Sequence, residues 1–258
     1  MRNVRAVAAN TFREAVRDRV LYNLVFFAFL MMGAAMLVGQ VSIGIEQDVI
    51  VSLGLSAISV IGIFIALFLG VALVSKEMDK RTLYALLAKP VKRWEFLLGK
   101  FFGLVMTLTV NTAAMAGGLF VALWMVKRPL AGSDAYILVA VYLILLKLAL
   151  IVGLALLFSC FTTPFLAIVF TAGIYVAGLF SGDLRTVHGV ELDPGALRLM
   201  RGVSYLLPNF QNFDVMGAVV HGRGVPAMFV WHATLYAGLY TAIVLTGAAI
   251  LFSRRNLK

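Results

Sequence analysis

Residues 137–182 read ILVAVYLILLKLALIVGLALLFSCFTTPFLAIVFTAGIYVAGLFSG. These 46 residues hold one charge, Lys147, and one proline, Pro164. As a single helix the run would be about 69 Å long, more than twice the roughly 30 Å hydrocarbon core of a bilayer. It must fold back on itself, and Thr162-Thr163-Pro164 is the natural turn.

Working outward, other long apolar runs flank this double one. They predict six transmembrane helices, at about 22–41, 50–75, 101–126, 137–160, 165–182 and 228–252. The expected fold class is an all-α integral membrane protein with a single transmembrane domain over 1–258. Composition agrees: the chain is 62% hydrophobic and 13% charged, whereas soluble domains carry roughly 25% charged residues. The polar stretch before the first run extends to about residue 21, and the run is long enough to stay in the membrane as an anchor, so no cleaved signal peptide is expected.

Residues 1–21 read as an amphipathic helix. Val4, Val7, Ala8, Thr11, Phe12, Ala15, Val16 and Val20 recur at helical spacing, opposite Arg2, Arg13, Glu14, Arg17 and Asp18. Such a helix beside a span is expected to lie in the membrane interface. Of 22 lysines and arginines, 15 fall on the side of the two termini, six on the other and one, Lys147, inside a span. The positive-inside bias therefore places both termini and the segment 76–100 in the cytoplasm of an inner-membrane protein. The loop 183–227 then lies outside. Within it Leu197, Met200, Val203 and Leu206 form an apolar stripe, followed by LPNFQNFDV. That segment either dips back toward the membrane or lies over the bundle.

The chemistry-bearing residues are few. There is no GxxxxGK[ST] phosphate loop and no HExxH, so neither ATP hydrolysis nor zinc proteolysis is expected of this chain. Cys160 is the sole cysteine and the three histidines are scattered, so no metal site is expected. All 12 acidic residues lie in predicted loops or at span ends, which argues against a carrier driven through intramembrane carboxylates. Lys147 is the exception among charges. A lysine there costs roughly 2.5–3.5 kcal/mol on insertion scales and should face protein or water. No carboxylate is expected at its depth; Asn111, near Thr107, Thr109 and Thr112, is the expected polar partner. Lys147 and Asn111 are candidates for lining a translocation path, or equally for a lysine solvated between helices.

The segment Lys76–Lys100 carries seven basic residues, which topology alone can explain. Its pattern is more specific. Glu77, Arg81-Thr82-Leu83, Leu86-Leu87, Pro90-Val91, Arg93, Leu97-Leu98 and Lys100 resemble the first cytoplasmic loop of type-2 ABC permeases, the membrane subunits of ABC exporters. Arg81 stands where that family usually has glycine, and Tyr84 where glutamate is common. The resemblance extends to the layout of spans and to the basic tail SRRNLK.

The resemblance implies a coupling helix that docks in a groove of a separate ATPase subunit, with Glu77, Arg81, Thr82, Leu83, Leu86, Leu87, Pro90 and Arg93 at the contact. The leucines suit helix-in-groove docking, and Pro90 bars helix continuation. It also implies a second permease protomer, a homodimer or a dimer with a similar chain. ATP and magnesium would be held by the ATPase, and no cofactor by this chain. An alternative role is ATP-driven force transmission to an extracytoplasmic maturation partner without cargo. A channel or carrier independent of any ATPase fits least.

Overall fold

The computed structural model describes residues 2–17, 19–41, 45–79, 92–126, 132–182 and 202–254. The helices are α1 (Arg2–Val16), α2 (Arg19–Val41), α3 (Glu46–Asp79), α4 (Arg93–Val126), α5 (Tyr136–Ser159), α6 (Pro164–Leu179), α7 (Met216–Val220) and α8 (Ala227–Arg254). Short 3-10 turns occupy Gly132–Ala135 and Phe210–Phe213. The chain is an all-α, multi-span membrane bundle. Among the described residues, Glu46–Ala72, Arg93–Val126, Tyr136–Ser159 and Ala227–Ser253 are long and apolar enough to cross a bilayer, with Pro164–Leu179 a shorter apolar helix.

The 137–182 run folds back at residues 160–163. Cys160 closes the last turn of α5 by donating its N–H to the Leu156 and Leu157 carbonyls. The Thr162 hydroxyl donates to the Phe158 carbonyl at 2.8 Å. Pro164 opens α6 at a position where its missing N–H would be unpaired anyway.

α5 is apolar all round, the signature of a central helix, and it packs against α3, α4, α6 and α8. Leu143, Leu148, Leu150, Ile151 and Val152 are fully buried along it. Gly62 of α3 lets α5 approach closely, since a Cβ there would lie 2.6 Å from the Leu148 Cδ1. The outer surface is the apolar one: Phe26, Phe165 and Ile243 are each more than 70% exposed, as lipid-facing side chains should be.

α4 starts eight residues before the expected Phe101. Charge suggested that Trp94–Lys100 is loop, yet the stretch contains no proline, and both its charges find partners, as described below. Its 34 residues rise about 51 Å, so its first turns extend beyond the hydrocarbon core. Trp94 and Trp124 are both half-exposed on this helix. They stand about 45 Å apart, close to the interface-to-interface thickness of a bilayer, as two aromatic belts require.

Between the two alternatives for LPNFQNFDV, the structure seats the segment in the bundle, at the end opposite α1. Phe210 and Phe213 are 1% and 2% exposed. Tyr175 of α6 meets Phe210 edge-on at 5.1 Å, and Tyr236 of α8 packs on Phe213 at 6.1 Å. The Asn209 backbone N–H donates to the Tyr236 hydroxyl at 2.8 Å. Gly178 and Gly182 leave the room: a Cβ on either would collide with Pro208, Phe210 or Gln211. Of the expected apolar stripe, Leu197 and Met200 lie outside the described residues, while Val203 and Leu206 are exposed.

Candidate functional site

Two regions concentrate the polar chemistry. The first is the basal end, where α4 begins. α1 lies parallel to α4 and in register with it: Asn3 donates to Glu95 Oε2 at 3.1 Å across an offset of 92 residues. Val7 faces Gly99 and Thr11 faces Gly103 at the same offset. A Cβ on Gly99 would lie 2.6 Å from Val7 Cβ, and one on Gly103 2.6 Å from Thr11 Cβ and 2.7 Å from the Ala8 carbonyl oxygen. Two glycines four residues apart thus let the backbones touch, the small-residue geometry of membrane helix pairs. Thr11 and Ala15 are completely buried there.

Two charged groups of α4 find their partners here, Lys100 and Glu95. Lys100 is 1% exposed, with its Nζ 3.8 Å from Glu14 Oε2 and 5.8 Å above the Phe96 ring. Glu95 lies in the turns of α4 that precede the hydrocarbon core. The Asn3 amide, and then the Lys92 backbone N–H, hold its carboxyl below the usual carboxylate range. The apolar stripe of α1 is therefore spent largely on α4, a partner that periodicity alone could not name.

Arg93 ties the start of α4 to the end of α8. Its Nη1 donates to the carbonyls of Phe252 at 2.9 Å and Ser253 at 3.0 Å, and its guanidinium lies 5.9 Å from the Phe252 ring centroid. Phe96 stacks on the same ring at 6.1 Å. The last carbonyls of a helix lack intrahelical donors, and a cation there also meets the negative end of the helix. α1, the base of α4 and the end of α8 are thus fastened together where the 76–100 segment enters α4.

The second region is a cavity of about 180 Å³ that contains Lys147. Lys147 donates to Ser59 Oγ of α3 at 2.6 Å. Two expectations are corrected here. Asn111 is not the partner: its amide turns back to the Thr107 carbonyl on its own helix at 2.9 Å. A carboxylate does reach the lysine's surroundings, because Asp214 lines the same cavity. Asp214 belongs to the segment that folds back into the bundle, and a residue's depth in a loop cannot be read from its place in the sequence.

Of the expected coupling residues, Glu77 lies in the last turns of α3. Arg81, Thr82, Leu83, Leu86, Leu87 and Pro90 lie outside the described residues. Gly99 and Gly103 were missed, although LLGKFFGL carries the glycine spacing that signals close helix contact. Farther along α4, Gly118 lets Phe29 of α2 approach, with a Cβ there 2.6 Å from its ring, whereas nothing lies within 4 Å of a Cβ on Gly117. Among the described residues no group of three His, Cys, Asp or Glu side chains could hold a metal ion.

The described residues form an all-α membrane bundle with a polar, fastened end at the start of α4 and a lysine-bearing cavity. The family model described as ABC-2 family transporter protein matches residues 5–257, and the chain belongs to that family. No curated protein matches it. The chain is accordingly an ABC-type membrane permease component.

Proposed function

We propose that this permease couples ATP hydrolysis by a separate ATPase subunit to the export of a solute. It acts as a homodimer of six-span protomers with both termini in the cytoplasm. The observation that carries the reading is the fastened basal end. A push on the Lys76–Lys100 segment is transmitted at once to α4, to α1 through Gly99 and Gly103, and to α8 through Arg93. The coupling contact is then Glu77, Arg81, Thr82, Leu83, Leu86, Leu87 and Pro90. Arg93 acts behind it as a positioning residue. The translocation path passes the Lys147 cavity.

A second reading, force transmission to an extracytoplasmic partner, draws support from the seating of residues 208–215 on α6 and α8, which would carry bundle motion to the outer surface. Purification of the tagged chain from its own membranes tests the first reading. A P-loop ATPase is expected to copurify and to be stimulated by the chain. Recovery without one contradicts both readings.

A further inference from the structure

The Lys147 cavity does not stand alone. A more open one of about 580 Å³ adjoins it, lined by residues 211–229 at the end of the bundle opposite α1. Gln211, Asp214 and Val215 line both, whereas Lys147 and Ser59 line the inner one alone. The three shared residues form a neck, with a vestibule on one side and a lysine-bearing pocket on the other.

The charges along this route are ordered. Asp214 is exposed where it lines both cavities, and its Oδ1 accepts the Met216 backbone N–H at 3.1 Å. Lys147 has three N–H donors. Among the described residues one goes to Ser59, and two are available to the pocket. A simple anion entering from the vestibule would meet the carboxylate first, and a simple cation would end against the ammonium. A ligand with both charges fits: its oxyanion on Lys147 and Ser59, its ammonium on Asp214. The pocket's 180 Å³ is below the several hundred Å³ usual for drug-sized ligands, so the ligand or its head group is small. Tyr175, Phe210 and Phe213 enclose the remainder as apolar wall.

We infer that the pocket between Lys147 and Asp214 binds a compact zwitterion carrying an ammonium and an oxyanion, either a free solute or a lipid head group. This rests on reading Lys147 as part of the path. It is tested on the full chain without its ATPase, so failure of the coupling reading leaves the result intact, and the reverse.

The test is calorimetric titration of the purified chain in phosphatidylglycerol nanodiscs with phosphoethanolamine, and with ethyl phosphate and ethanolamine as single-charge probes. Saturable binding of phosphoethanolamine is expected, with each single-charge probe weaker by about tenfold or more, as loss of one charge-assisted hydrogen bond implies. Lys147→Met and Asp214→Asn are each expected to weaken it by about tenfold as well. Lys147→Arg, which keeps the charge, should retain the preference and so separates loss of binding from loss of fold. Equal binding of a single-charge probe, wild-type affinity in both Lys147→Met and Asp214→Asn, or no saturable binding overturns the inference. Repeating the titration with phosphatidylethanolamine in the nanodiscs separates the sources. A weakened apparent affinity identifies the lipid head group, and an unchanged one a soluble solute.

Discussion

Gly103→Leu is expected to strip α1 from the base of α4. The atom nearest to a new Cβ after Thr11 is not a side chain that can rotate away but the Ala8 carbonyl oxygen, at 2.7 Å. Backbone cannot yield without the whole of α1 moving. Overpacking of a well-packed contact typically costs about 1–3 kcal/mol. Here the leucine also separates Lys100 from Glu14 and Asn3 from Glu95, so the upper part of that range applies. Amide exchange across Arg2–Val16 should rise sharply while α5 stays protected. Gly117→Leu is the internal control, because nothing lies within 4 Å of its Cβ position; it should leave exchange unchanged. Protection of α1 in Gly103→Leu equal to wild type would show that the contact is not tight.

Arg93→Ala is the second large effect. It removes two hydrogen bonds to the final carbonyls of α8 and the stacking on Phe252. Hydrogen bonds to a charged donor are worth about 1.5–3 kcal/mol when buried; one of these is exposed, so about 1–2 kcal/mol is a fair expectation. Exchange should increase in the last turn of α8, and stimulation of the partner ATPase should fall although the chain still inserts. Arg93→Lys should recover part of the effect, since it restores the charge at the helix end but not the fork or the stacking. If Arg93→Ala changes ATPase contact yet leaves α8 protected, Arg93 works at the docking surface rather than behind it.

The course of the chain was legible where the physics is local. Residues 137–182 are too long for one crossing, and Pro164 starts a helix readily but costs about 3 kcal/mol inside one, so the fold-back follows from length and one residue. The partners across the bundle were not legible. Nothing near Val7 or Thr11 says that Gly99 and Gly103 will receive them, because the match lies 92 positions away. Charge misled at Trp94–Lys100: Glu95 and Lys100 read as loop residues, yet α1 supplies Asn3 and Glu14 to keep them in a helix. It misled again at Lys147, whose surroundings gain Asp214 from a segment that sequence could place only as dipping toward the membrane or lying over the bundle.

The central claim is that the Lys76–Lys100 segment receives the ATPase and moves the fastened base of α4. The most direct measurement is the ATP hydrolysis rate of the copurified complex, with the wild-type chain and with Leu86→Asp, after equal membrane insertion has been verified. A carboxylate placed in an apolar docking knob should abolish stimulation, bringing the rate to that of the ATPase alone. Normal copurification and normal stimulation in Leu86→Asp would contradict the account.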